Sequence, residues 1–182
     1  TIARELGISS ADSIWIVNAY QLAIMVSLLS FSALGERIGY RRVYIGGLAL
    51  FTVASVGCAL SGSLQTLVLT RVMQGFGAAA VTSVNTTLIR IIYPKAQLGR
   101  GMGINATVVA VSSVAGPTLA AAILSAADWP WLFAVNIPVG LTALVLSSHF
   151  LPENPVRAHE GKFNWRDAVM NALTFGLMMS SI

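Results

Sequence analysis

Charge is what this sequence has least of. Only 10% of its 182 residues are Asp, Glu, Lys or Arg, against roughly 25% in an average soluble domain. That scarcity excludes the soluble class before any motif is considered. No charge lies between Asp12 and Glu36, and none between Arg42 and Arg71. Cysteine is nearly absent. The single Cys58 excludes an intramolecular disulfide and reads as a small packing residue. The two histidines, His149 and His159, belong to no group of His, Cys and acids with metal-ligand spacing, so no metal centre is expected. Away from their ends, where His149 closes the fifth, the apolar runs hold no Ser/His pair and no Asp pair, which argues against an intramembrane enzyme. They also lack the polar–apolar alternation that barrel strands require.

What the chain does have is long apolar runs. Five can be bounded by charge or turn residues, at about 13–35, 43–62, 64–89, 101–127 and 129–151, and a sixth begins near Ala168. Each of the five is near or above the roughly 20 residues that a bilayer-crossing helix needs. Backbone groups in a bilayer must be satisfied within the segment, so the runs are predicted to be helices. The predicted fold is all-α, a polytopic bundle of membrane helices. Residues 1–152 would form one incomplete bundle, 153–167 a cytoplasmic linker and 168–182 the start of a further span.

The charges fix an orientation. Of eleven Lys and Arg, nine fall in alternate connections: Arg37, Arg41 and Arg42, then Arg90, Lys95 and Arg100, then Arg157, Lys162 and Arg166. The opposite connections carry only Asp128. By the positive-inside rule the basic side is cytoplasmic. The net charge of +4 then reports orientation, and no nucleic-acid partner is expected. This topology puts Thr1 outside the cytoplasm. The expectation is a fragment, with one span before Thr1 and more after Ile182.

Polar residues inside the runs fall into stripes. Gln74, Gly75, Ala78, Thr82 and Asn85 lie three, four, seven, eleven and fourteen residues after Arg71, on one helical face. A guanidinium within a span costs roughly 2.5–3.5 kcal/mol or more, so it seeks a partner, a watery cavity or, by snorkelling, the headgroups. The aligned amides favour a face lining a cavity. Run four repeats the pattern with Gly101, Asn105, Ser112, Gly116 and Ala120, where Pro117 is expected to kink the helix. Close packing would explain the same small residues. In run one, Asn18 and Gln21 share a face, while Trp15 and Tyr20 suit an aromatic anchor at the interface. Trp129 and Trp131 read as anchors as well. Asn136-Ile137-Pro138 suggests a broken turn in run five.

Three stretches carry a family resemblance. Ser32-Ala-Leu-Gly-Glu-Arg-Ile-Gly-Tyr-Arg-Arg42 resembles the G-x-L-A-D-R-x-G-R-K signature of the major facilitator superfamily, with Glu36, Arg37, Gly39 and Arg41 in place. Leu67 to Ala79 resembles its fourth-span signature, with Arg71, Gln74, Gly75 and Gly77 in place. Gly116-Pro117 matches half of the antiporter signature G-P-x-x-G-G, whose final glycines are Ala120 and Ala121 here. The stretches 15–23 and 131–141 are similar to the fourteen-span drug:proton antiporter branch. The resemblance implies spans two to six and the start of span seven of a bacterial cytoplasmic-membrane transporter, with no cofactor. It implies proton-coupled efflux of small lipophilic, often cationic, compounds by alternating access. In that reading Glu36, Arg37, Gly39, Arg41 and Arg42 form a conformational latch, Arg71 couples protons, and Gly116-Pro117 form a hinge. Asn18, Gln21, Gln74, Asn85 and Asn105 are the cavity candidates.

Overall fold

A computed structural model describes residues 10–153 and Met170, with side chains described from Ile14 to Glu153 and at Met170. The expected linker beyond Glu153 and the sixth run lie outside the described residues, Met170 apart. Among the described residues every regular element is helical. They are α1 (Ser10–Ile38), α2 (Tyr40–Ala59), α3 (Leu64–Ile92), a 3₁₀ turn (Lys95–Gln97), α4 (Leu98–Ala126), α5 (Trp131–Ala134) and α6 (Asn136–Phe150). At 1.5 Å per residue, the 29 residues of α3 rise about 43 Å, enough to cross a hydrocarbon core of about 30 Å with ends to spare.

The helix ends have local causes. Ser63 caps α3: its Oγ accepts from the Thr66 amide at 3.3 Å, and Thr66 Oγ1 accepts from the Ser63 amide at 3.3 Å. This reciprocal capping satisfies two donors that would otherwise be orphaned. Between α1 and α2 only Gly39 leaves the helix, at φ 100° and ψ 135°. The charged stretch 34–42 is therefore two helix ends joined at one residue, with Glu36 and Arg37 inside the last turn of α1. A side chain at Gly39 would meet a backbone conformation that only glycine adopts freely. Gly39→Ala is expected to cost about 1–3 kcal/mol, read as a lowered melting temperature of the full-length protein.

Run five is broken, as its Asn-Ile-Pro sequence suggested, but the break falls at Val135. Pro138 becomes the third residue of α6, where a missing N–H removes no intrahelical bond. Pro117 lies inside α4 without ending it.

α3 is the centre of the bundle, packed along its length by α1 on one side and α2 on the other. α6 lies against α2, and α5 closes over α2 at the end opposite the 34–42 turn. Two apolar clusters cement these contacts. At the end away from the 34–42 turn Ile16, Cys58, Leu67, Trp129 and Phe133 are buried together. Near the 34–42 turn Val43, Ala80, Val84 and Leu88 are buried. Trp129 is thus no interfacial anchor: it is 5% exposed, and its ring meets Phe133 edge-on at 6.2 Å. Trp15 and Trp131 are exposed, at 58% and 60%.

α2 and α3 approach through glycines. A β-carbon on Gly77 would lie 2.5 Å from the Phe51 amide nitrogen and 2.7 Å from the Gly47 carbonyl oxygen. One on Gly75 would lie 2.6 Å from the Tyr20 carbonyl oxygen. Gly75 of the α3 stripe, and Gly77 beside that stripe, therefore face neighbouring backbones, where close approach supplies the packing energy that lipid cannot. α4 stands apart. Gly101 is its one buried residue, seated on the Tyr93 ring.

Candidate functional site

The polar face of α3 is divided among its neighbours. Arg71, two turns into α3, reaches α1: its Nε–H donates to the Ile16 carbonyl at 3.1 Å. Its Nη1–H donates to Gln74 Oε1 at 2.7 Å, one turn along the same helix. The guanidinium carbon sits 4.0 Å from the Tyr20 ring centroid and 5.7 Å from that of Phe133. A guanidinium between two aromatic faces replaces lost hydration with ring electrons. Two of its five N–H donors are engaged by these bonds. Among the described residues no carboxylate pairs with it.

Gln74 was expected to line a cavity, and the structure corrects that. It is 1% exposed. Its Nε2 donates to Ser55 Oγ of α2 at 2.7 Å, and that hydroxyl donates to the Phe51 carbonyl at 2.7 Å. A residue so enclosed by α2 and α3 offers no atom to a solute. Its amide relays position from α2 to Arg71. Cys58 joins the same group, with Sγ 3.3 Å from Thr70 Oγ1 and 3.9 Å from Gln74 Oε1. Tyr20, too, is no anchor: its ring is spent on Arg71.

The other candidates are scattered. Asn85 Nδ2 donates to Asn105 Oδ1 at 3.0 Å, tying α3 to α4. Asn18 is half-buried and Gln21 exposed on α1, and no hydrogen bond among the described residues joins either to Arg71. Thr82 is exposed and returns its hydroxyl proton to the Ala78 carbonyl at 2.7 Å. Gly116 and Pro117 are exposed on α4, and a β-carbon at Gly116 would touch nothing.

In the 34–42 turn, Glu36 and Arg42 are exposed and Arg37 is half-buried. Glu36 does not cap the next helix, since the N-terminus of α2 has no side-chain cap. Arg41 crosses to α6, where Nη2 donates to the Ser148 carbonyl at 2.6 Å and Nη1 meets Glu153 at 3.3 Å. A cation on the last carbonyls of α6 also suits that helix's negative end.

Tyr20, Phe133 and Ser55 were missed as members of the Arg71 group. Thr52, Ser55 and Cys58 recur every third residue in run two, and that polar–small stripe was the available signal for Ser55. Nothing in the sequence joins Tyr20 or Phe133 to Arg71.

The Major Facilitator Superfamily profile matches residues 1–181. The chain belongs to that superfamily. It is accordingly an integral membrane protein, with five helices long and apolar enough to cross a bilayer among the described residues. An uncharacterized transporter of Escherichia coli K12, YebQ, is 60% identical over 182 residues, which are all of this chain and 40% of that protein. The tetracenomycin C resistance and export protein of Streptomyces glaucescens is 39% identical over 79% of this chain and 27% of its own length. The riboflavin transporter RibZ of Clostridioides difficile is 33% identical over 89% of this chain and 35% of its own. The chain thus spans two-fifths or less of these superfamily relatives.

Proposed function

We propose that the chain is part of a proton-coupled secondary transporter that exports small lipophilic compounds by alternating access. The observation that carries this reading is Arg71. A permanent charge is kept inside a membrane helix, fixed by α1 and by the Gln74–Ser55 relay, with donors left for a further partner. A structural cation would be expected to be spent on an acid. One with unspent donors suits a partner whose charge changes during the cycle. In this reading that partner is an acid or a substrate atom supplied elsewhere in the whole protein.

The 34–42 turn is the second part of the proposal. Gly39 joins two rigid helix ends, and Arg41 fastens the joint to α6. Exposed Glu36 is then free to meet the positive end of a helix in the other bundle in one of two states. A latch needs to differ between states by only a few kcal/mol to shift their populations. Asn18, Gln21, Asn85 and Asn105 remain the proposed cavity residues, and Gly116-Pro117 the proposed hinge. The tetracenomycin C export relative supports an efflux role, and the riboflavin relative supports a wider range of solutes.

The test is the full-length protein in proteoliposomes with an imposed pH gradient. Proton flux is followed while lipophilic cations, neutral aromatic compounds and a flavin are offered in turn. Substrate-dependent flux with one of these is the expected result. Flux with the flavin alone would replace the drug-efflux reading with a metabolite one. No substrate-dependent flux with any of them would leave a membrane sensor or scaffold as the better reading.

A further inference from the structure

Above α3, where α1 and α2 diverge from their glycine joint, lies a crevice of about 190 Å³. Phe31, Leu34 and Ile38 form its α1 wall, Val43 and Leu50 its α2 wall, and Ala80 of α3 part of its floor. Gly46 keeps it open: a β-carbon there would meet nothing within 4 Å. The neighbouring Gly47, by contrast, is pressed against Ala80 and Gly77. The lining is apolar except at one end, where Arg42 stands in the first turn of α2.

We propose that this crevice binds one anionic phospholipid from the cytoplasmic leaflet, with an acyl chain between α1 and α2 and the phosphate on Arg42. Charge argues for an anion. Arg42 is exposed, and among the described residues it has no carboxylate partner; Arg41, its neighbour, is committed to Ser148 and Glu153. The first turn of α2 also carries no acid, so the positive end of that helix adds to the same guanidinium. Sidedness agrees as well. Arg42 belongs to the basic face that the positive-inside rule assigns to the cytoplasmic leaflet, where anionic headgroups attract juxtamembrane cations. From Val43 to Leu50 the α2 wall rises about 10 Å into the membrane-spanning part of the helix, the course an acyl chain follows from its headgroup.

The full-length protein, delipidated in detergent, is incubated with equal amounts of phosphatidylglycerol and phosphatidylcholine, and retained lipid is read by native mass spectrometry. Wild type is expected to retain one phosphatidylglycerol in preference. Arg42→Gln should lower that preference about fivefold, as the loss of one juxtamembrane cation predicts. Gly46→Leu should abolish retention of both lipids while leaving the lipid-free melting temperature unchanged, because its side chain enters empty space. Equal retention by the three proteins overturns the proposal. So does displacement of phosphatidylglycerol by inorganic phosphate or glycerol phosphate, which would make this a site for free phosphate. A melting temperature lowered by Gly46→Leu would mean that a helix of the whole protein covers the crevice, and that also overturns it.

Discussion

Gly77→Leu should unfold the α2–α3 contact. The nearest atoms to a β-carbon at Gly77 are the Phe51 nitrogen at 2.5 Å, the Gly47 oxygen at 2.7 Å and the Phe51 α-carbon at 2.8 Å. All three belong to the backbone of α2, and no side chain can rotate away to admit a larger group. The two helices would have to separate over at least a turn. That would empty the contacts of Ala80 with Val43 and of Gln74 with Ser55 on either side. Overpacking in a well-filled core costs about 1–3 kcal/mol, and more where backbone must move. Because α3 is the centre on which α1 and α2 both depend, the cost is expected at about 3 kcal/mol or more, a large share of a total stability of roughly 5–15 kcal/mol. The measurement is thermal unfolding of the full-length protein in detergent, with Gly46→Ala as the control. Gly46 lies on the same helix as Gly47 with open space before it, so the control should melt at or slightly above wild type, since alanine is the better helix former. If Gly77→Leu melts with the control, the close approach of α2 and α3 is wrong.

That contrast also marks what a sequence of this kind discloses. Gly46 and Gly47 are adjacent and chemically identical. One faces a crevice and the other a neighbouring backbone, and no local pattern separates them. The apolar runs and their charged ends were legible because a bilayer imposes length and backbone satisfaction on every span. The helix ends were less so. Glu36 and Arg37 lie inside α1 because a helix runs on past the hydrocarbon to a residue that can turn it, and only Gly39 could. Periodicity put Arg71 and Gln74 on one face, and they do meet. It did not say that Gln74 would face α2, since one face of α3 is shared by two packed helices. Trp129 and Tyr20 were misread for a related reason. Aromatic residues near the end of a span serve equally as anchors or as core, and the choice depends on what folds over them. Here α5 folds back, burying Trp129 and bringing Phe133 toward Arg71.

Arg71→Ala should uncouple transport from protons. The proposed coupling between a proton site and a substrate site is worth about 1–3 kcal/mol, so its loss should lower proton-driven flux about 5- to 150-fold while substrate binding persists. Arg71→Lys is expected to fare little better. An ammonium lacks the planar fork that lets Arg71 donate to Ile16 and Gln74 while lying against the Tyr20 ring. Gln74→Leu separates the charge from its positioning. That change leaves Arg71 in place, but it deprives Nη1 of its acceptor and the Ser55 hydroxyl of its donor. A buried donor left unsatisfied costs about 1–3 kcal/mol, more when charged. If Gln74 acts by holding Arg71, its loss should displace the pH dependence of flux in the wild-type background and change nothing further once Arg71 is alanine. The double-mutant cycle should then show a coupling of about 1 kcal/mol or more in stability, as groups in one hydrogen-bonded network do. Strictly additive effects, with an unmoved pH profile in Gln74→Leu, would make the relay a packing device and leave Arg71 to be oriented by Ile16 and Tyr20 alone. Unchanged proton-driven flux in Arg71→Ala would remove the coupling role itself, whatever the cycle shows.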